Sequence, residues 1–189
     1  VLFRSGSLSG IVGSDAVTLV GTGTFATKNA GVGQVVTSSS TLSGSAAGNY
    51  TLTQPTGLTG TITPLSLTIG SPTVASKTYD RATTAGAVTV GSLSGMVGSE
   101  TLTVSAIGSP YSSANVGSYV TTVTYTLGNG NNGGLASNYS LANGTATGVV
   151  TPKALMISSP TIASRVYDGT TAAGSVTVGA LSGFVGSES

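Results

Sequence analysis

The sequence predicts an all-β protein: tandem small modules of about 88 residues, antiparallel β-sandwich or β-grasp-like, arranged as beads in a rod. Three observations predict this class. Apolar and polar residues alternate with a period of two in many short segments, a pattern typical of half-buried strands. Glycines and Asn-Gly steps separate the segments as turns. A long order of motifs recurs along the chain at about the size of a small domain.

The alternation marks strands through the middle of the chain, and no window shows a helical period. The predicted strands are residues 88–90, 101–104, 119–127, 139–141, 145–151 and 154–157. The predicted core of this region comprises Val88, Val90, Leu93, Val97, Leu102, Val104, Tyr119, Val123, Tyr125, Tyr139 and Leu141. Threonine and serine take the outward positions, where a pleated surface tolerates them well.

An eight-residue motif is the clearest repeat. It reads LSGIVGSD at residues 8–15, LSGMVGSE at 93–100 and LSGFVGSE at 181–188, so the spacings are 85 and 88 residues. A second motif, SPTVASKTYD at residues 71–80, returns as SPTIASRVYD at 159–168. A period near 88 residues exceeds those of β-helices and helical solenoids, so each repeat is a whole small domain.

These repeats divide the chain. We predict a partial first repeat at residues 6–69, a complete repeat at 70–157 and the start of a third at 158–189. Residues 1–5, VLFRS, are the translation of GTG-CTC-TTC-CGA-TCT, which resembles the end of a common sequencing adapter. We therefore expect these five residues to be a non-native read artefact.

Composition argues against several classes of function. Serine and threonine supply 29 and 31 residues, or 60 of 189, whereas charged residues are 6% and the net charge is +1. Six scattered basic residues do not provide the clustered charge that nucleic acid or an anionic membrane surface requires. No apolar stretch approaches the length of a membrane span. Without Cys or His, thiolate and imidazole chemistry is absent.

The acidic residues do not form a recognisable site in the sequence. The five of them, Asp15, Asp80, Glu100, Asp168 and Glu188, fall at only two positions of the repeat. A calcium site needs more converging carboxylates. The glycines of the eight-residue motif lack the lysine of a phosphate loop, and we interpret them as turn residues that need positive φ. We predict no catalytic, cofactor-binding or metal-binding residue, and no enzymatic activity.

Two tyrosine-aspartate pairs are the candidate ligand residues: Tyr79 with Asp80, and Tyr167 with Asp168. They could contact a ligand such as a sugar. Alternatively, each tyrosine packs in the core and each aspartate opens a turn by accepting backbone N–H groups. Because Gly169 follows Asp168 but Arg81 follows Asp80, the two turns need not share one backbone conformation.

The motif order resembles a known family. KTYD or RVYDGTTA precedes LSGxVGSE, followed by GTFATKNAGVG, AGNYTLT, and TGTITP with ALMI or LSLTI. This order is similar to the YDG-type repeat of large, filamentous-haemagglutinin-like bacterial surface adhesins. Residues 167–170 match the YDG motif, and residues 25–29 match the mid-repeat signature FATKN. Arg81 replaces the motif glycine, and PYSSAN at 110–115 departs from the signature; both changes affect turns only.

The resemblance implies secreted display on a bacterial cell surface and no catalytic residues. We expect the repeats to be a stalk, a monomeric rod of neighbouring repeats that holds a distal binding domain away from the cell. Alternatively, the repeats themselves bind host glycan or matrix protein weakly, through Tyr79, Asp80 and the 128–134 loop, and gain by avidity. Exposure of the Tyr79 and Tyr139 rings distinguishes the two hypotheses.

Overall fold

The regular secondary structure of the chain is almost entirely β. A computed structural model describes residues 8–189, and the predicted read artefact at residues 1–5 lies outside them. Within that range there are 19 short strands, and the helices are two single 3-10 turns, Ala47–Asn49 and Ala136–Asn138. The all-β prediction is confirmed. The arrangement of 88-residue sandwiches in a rod remains a prediction.

The strands are short and numerous, as the many glycine turns require. In chain order the first seven are β1 (Thr18–Val20), β2 (Gly23–Phe25), β3 (Gly31–Ser38), β4 (Thr41–Ser43), β5 (Thr59–Ile62), β6 (Leu65–Ser66) and β7 (Thr68–Ile69). The next six are β8 (Thr73–Val74), β9 (Lys77–Thr78), β10 (Val88–Thr89), β11 (Leu93–Ser94), β12 (Leu102–Gly108) and β13 (Gly117–Asn129). The last six are β14 (Tyr139–Ser140), β15 (Gly144–Thr151), β16 (Met156–Ile157), β17 (Thr161–Ile162), β18 (Val176–Thr177) and β19 (Leu181–Ser182).

The chain divides into two compact units. The first holds the chain up to Leu67 together with Met96–Leu102 and Asn129–Ser140. Its main sheet has the order β2-β3-β5 with antiparallel pairs, beside the antiparallel pair of β1 and β4. In the same unit β14 pairs in parallel with β6. Val36 on β3 is buried, and the Phe25 ring lies against Gly60.

The second unit holds Thr68–Gly95, Thr103–Gly128 and Leu141–Ser189. Its four-stranded sheet has the order β12-β13-β15-β9, with β15 antiparallel to β13 and parallel to β9. The core is under this sheet, where Tyr111, Thr121, Val123 and Val150 are all buried. The Tyr111 ring stacks on Tyr119 with ring centroids 5.5 Å apart.

Two antiparallel pairs of short strands accompany the four-stranded sheet, and the same pattern of pairs returns later in the chain. β7 pairs with β11 and β8 pairs with β10. In the same way β16 pairs with β19 and β17 pairs with β18. Thus β7, which ends the first sequence repeat, pairs with a strand of the second, and β16 pairs with a strand of the third. The boundaries at 69/70 and 157/158 mark sequence repeats and stay predictions as domain limits.

Most of the local predictions hold. The predicted strands within 88–157 correspond to β10, β12, β13, β14, β15 and β16, whereas the two-residue strands β8, β9 and β11 were not predicted. In the predicted core, Val123 and Tyr139 are buried. The placement of Val97 in the core is wrong, because its side chain is 58% exposed in a tight glycine turn. Tyr111, Thr121 and Val150 are buried core residues that the prediction missed.

Candidate functional site

The eight-residue motif forms the same turn in all three copies. Both glycines of each copy have positive φ: Gly10, Gly13, Gly95, Gly98, Gly183 and Gly186. A side chain at these positions would be strained, which explains the fixed glycines and confirms their predicted turn role. Each turn closes when the amide of the terminal acidic residue donates to a valine carbonyl. The donor–acceptor distances are 3.2 Å from Asp15 to Val12 and 3.1 Å from Glu100 to Val97.

A tyrosine hydroxyl binds the acidic residue of this turn in the second copy. The Tyr139 hydroxyl donates to Glu100 Oε2 at 2.6 Å and accepts from the Val97 amide at 3.0 Å. Tyr139 is 6% exposed. The hydrogen bond to the Glu100 carboxylate raises the pKa of Tyr139, and it outweighs the Val97 amide, which favours the phenolate. Through these two hydrogen bonds the Tyr139 hydroxyl links β14 to the glycine turn.

The first copy has the same arrangement. The Tyr50 hydroxyl accepts from the Val12 amide at 3.0 Å and donates to Asp15 Oδ2 at 2.7 Å. The Val12 amide favours the phenolate of Tyr50. The bond to Asp15, burial and the Asp15 charge together outweigh it, so the pKa of Tyr50 is raised. An aspartate thus performs the role that a glutamate performs in the second copy.

The acidic residue of the third copy binds Tyr79. Glu188 Oε1 accepts from the Tyr79 hydroxyl at 2.6 Å, and Tyr79 belongs to the predicted tyrosine-aspartate pair. This bond raises the pKa of Tyr79. The Tyr79 amide donates to the Thr151 carbonyl at 2.9 Å, which holds the residue beside β15. Arg81 lies 3.8 Å from the same carboxylate.

The aspartates of the candidate pairs close turns. Asp80 Oδ1 accepts from the Ala82 amide at 2.9 Å and lies 2.8 Å from Lys77 Nζ. The Lys77 ammonium first, and the Ala82 amide second, lower the pKa of Asp80. Lys77 also donates to the Ala82 and Thr84 carbonyls. The carboxylate is therefore already engaged in organising its own loop.

The later pair repeats this turn. Asp168 Oδ1 accepts from the Thr170 amide at 3.0 Å and pairs with Arg165. The Arg165 guanidinium first, and the Thr170 amide second, lower the pKa of Asp168. The turn role predicted for both aspartates is confirmed. Arg81 has φ 64° and Gly169 has φ 76°, so the two turns share one left-handed conformation.

The candidate ligand residues are not brought together into one site. Tyr79 is half-buried and its hydroxyl is bound to Glu188. Tyr167 is 93% exposed. Asp80 and Asp168 are both exposed, each beside its own basic partner. Tyr139 is buried whereas Tyr79 is only half-buried, so the exposure of these two rings does not decide between the stalk and the ligand-binding hypotheses.

Sequence reasoning missed a polar cluster between residues of the first and second repeats. Asn138 Oδ1 accepts from the Ala30 amide at 2.8 Å, and Asn138 Nδ2 donates to Asn29 Oδ1 at 3.1 Å. Lys28 Nζ lies 3.7 Å from Glu100, although its side chain is 79% exposed. The recurrence of Asn-Tyr at 49–50 and 138–139 was the available signal. Its meaning depended on a long-range contact that spacing does not reveal.

The polar contacts of the described residues stabilise turns and join strands. Across residues 8–189 no three His, Cys, Asp or Glu side chains converge as a metal site would require. In the same range, every helix is too short and too polar to cross a membrane. Each tyrosine-carboxylate pair stabilises a glycine turn, and each pair contains a single carboxylate. The arrangement can fix and join strands.

These features define an all-β repeat protein whose recurrent motif residues close turns and join strands. A family model described as the YDG domain matches residues 2–57 and 63–147. The matches hold 56 and 85 residues, or 141 of 189, and the chain belongs to the YDG domain family. No curated protein and no solved structure matches the chain.

Proposed function

We propose that these repeats are a structural stalk of an extracellular bacterial adhesin, which holds a distal binding domain away from the cell. The observation that carries the proposal is how the recurrent polar residues are used. Tyr50 and Tyr139 bind carboxylates of the glycine turns, and Asp80 and Asp168 bind their own loops. Side chains with saturated internal partners serve rigidity better than recognition.

The polar cluster of Asn138 with Asn29 and Ala30 supports the same proposal. Its amide group binds Asn29 and Ala30, so it links two consecutive sequence repeats directly. All three residues lie within the first compact unit, so these bonds fix segments of two sequence repeats into one body, which suits a rigid stalk. The scarcity of charge and the abundance of Ser and Thr also suit a passive surface. The adhesin setting itself comes from the resemblance of the motif order.

Solution scattering on a series of tandem repeats tests the stalk. We expect the maximum dimension to grow by a constant step of about 30 Å per added repeat, the diameter of a domain of this size. Asn138→Ala should reduce that step, because it removes both bonds to the preceding repeat. Asn143→Ala, in the loop between β14 and β15, is the matched control. A dimension that stays nearly constant as repeats are added would exclude a stalk.

Binding by the repeats themselves is the second candidate, and the exposure of Asp80 and of residues 131–133 in the 128–134 loop favours it. Exposed carboxylate and amide groups are available to hydrogen-bond a host glycan or matrix protein. The test is binding of single and four-fold tandem repeats to a glycan array and to epithelial cells. Binding that increases sharply in the tandem and is lost with Asp80→Ala supports this candidate. If neither the single repeat nor the tandem binds, the stalk is the proposal that remains.

A further inference from the structure

The four-stranded sheet of the second unit has one protected edge and one open edge. At the protected edge, β9 is only two residues long and carries Lys77, and a short strand with a lysine is a usual defence against pairing with another chain. At the open edge, β12 runs for seven residues without a charged residue or a proline. Among residues 8–189 no strand pairs with its outer side. β12 therefore offers a template for one more strand.

Alternate backbone groups of β12 point away from the sheet. The Ser109 amide, just past the end of the strand, donates to the Thr122 carbonyl of β13 at 2.8 Å. Backbone groups alternate in direction along a strand of an antiparallel pair, so those of Val104 and Ala106 face the open side. No loop carbonyl of residues 8–189 accepts from either of these two amides. They are available to a strand that comes from outside.

The open edge does not depend on a missing neighbour. In the first unit β1 and β2 take the place of β12, because they lie between the glycine turn at 8–15 and the FATKN loop at 25–29. Within the described residues, β1 pairs only with β4 and β2 pairs only with β3. The first repeat precedes β12 in the chain, and the complete second repeat follows β1 and β2. The edge thus stays open whether the adjacent repeat comes before it or after it.

The edge of β12 is complementary to itself. Antiparallel pairing centred on Val104 places Thr103 of one copy opposite Ser105 of the other, and both side chains are exposed. Hydroxyl side chains that face each other on paired strands make favourable contacts. No Asp, Glu, Lys or Arg lies between Glu100 and Lys153, so the two edges bring no like charges together. The pairing also obeys a two-fold axis, the commonest symmetry of homo-oligomers.

We propose that the outer edge of β12 pairs antiparallel with the same edge of a second copy of this chain, which joins the two four-stranded sheets into one continuous sheet. Such an edge contact gains its affinity from backbone hydrogen bonds. One contact is weak, but a tandem array repeats it along both molecules and gains by avidity. The rods that the sequence led us to expect as monomers then associate side by side. The pairing needs only the sheet edge, so it does not rest on the stalk function.

Sedimentation velocity of the whole chain at increasing concentration tests the association. We expect a monomer–dimer equilibrium in the native chain. Ser105→Lys should raise the dissociation constant about fivefold, because it brings two like charges near each other across the two-fold axis. Thr124→Lys is the matched control: Thr124 is equally exposed but lies on β13, inside the sheet, so the constant should stay nearly unchanged. A native chain that stays monomeric at its highest soluble concentration, or equal effects of the two lysines, would overturn the proposal.

Engineered cysteines test the register, since the native chain contains none. Thr103→Cys and Ser105→Cys chains, mixed under mild oxidation, should form the mixed disulfide in clear excess over either self-disulfide, because only the mixed pair lies directly opposite. Thr124→Cys should form little disulfide, and circular dichroism verifies that each variant is folded. The pairing is wrong if self-disulfides form as readily as the mixed one, or if Thr124→Cys links as fast as the edge positions.

Discussion

The Tyr139 hydroxyl donates to the Glu100 carboxylate at 2.6 Å, and the two residues are 39 positions apart in the chain. The same relationship joins Tyr50 to Asp15, 35 positions apart. In both places the hydroxyl also accepts from a valine amide between two left-handed glycines. One side chain thus satisfies a turn amide and positions a carboxylate, so the Asn-Tyr and glycine motifs depend on each other.

Removing the Tyr139 hydroxyl should destabilise the protein. Tyr139→Phe keeps the packed ring but leaves the Val97 amide and the Glu100 carboxylate without their shared partner, and an unmade bond in a buried place is costly. We expect the midpoint of thermal unfolding to fall by about 2–4 °C. Circular dichroism at increasing temperature measures it. Tyr167→Phe is the matched control, because this ring is 93% exposed. Equal midpoints for the two variants would contradict a stabilising role of the Tyr139 hydroxyl.

Alkaline pH should weaken the same contacts. The folded-state pKa of Tyr139 is raised above the value of about 10 in the unfolded chain, so the neutral hydroxyl stabilises the fold. That stabilisation is fully present below pH 10 and is lost as the pH rises through the folded-state pKa. We expect the urea midpoint of the native protein to fall between pH 9 and pH 12.

Two variants check the source of this pH dependence. Tyr139→Phe and Glu100→Gln should each show a flatter decline over the same pH interval, because one removes the titrating group and the other removes the charge that raises its pKa. Urea titrations at fixed ionic strength give the slopes. A decline as steep as that of the native protein in both variants would assign the effect to other groups.

The sequence predicted the local features of the fold well because they depend on neighbours in the chain. Period-two alternation predicted β12, β13 and β15, and the paired glycines of the repeated motif predicted turns with positive φ. The aspartate turns at Asp80 and Asp168 were likewise local. Each prediction rests on contacts within a few residues, which side-chain type and spacing determine directly.

The partners of the candidate residues were beyond such reasoning. Tyr79 could be placed in a core or at a ligand, but its bond to Glu188 joins positions 109 residues apart. Val97 was assigned to the core from its apolar side chain, whereas the contribution it makes is its backbone amide. Tyr111 stood in a segment treated as a turn, yet it is buried against Gly148. Long-range pairing decides all three, and one sequence does not specify it.

Arg81 should carry backbone strain that glycine would relieve. It has φ 64°, where an L side chain costs roughly 1 kcal/mol, and the same turn position holds Gly169 in the later copy. We compare Arg81→Gly with Arg81→Ala, since both remove the contact with Glu188. The glycine variant should be more stable by about 1 kcal/mol in urea unfolding. Gly169→Ala should lose a similar amount. Indistinguishable stabilities for the two Arg81 variants would rule out strain at this turn.

The last prediction concerns where a structural repeat begins. β7 pairs with β11, β6 pairs with β14, and β16 pairs with β19 further along the chain. A fragment of residues 65–151 therefore keeps the partners of β11 and β14, and it retains the buried Leu67. A fragment of residues 70–157 loses both partner strands and ends in β16 without β19.

We expect the 65–151 fragment to be the more stable of the two by at least about 2 kcal/mol, the usual contribution of one buried leucine. Urea unfolding of both fragments, with residues 65–157 as a length control, measures the difference. The longer control should match 65–151, because β16 contributes little without its partner. If 70–157 is as stable as 65–151, the structural repeat coincides with the sequence repeat, and β7 belongs to the domain before it.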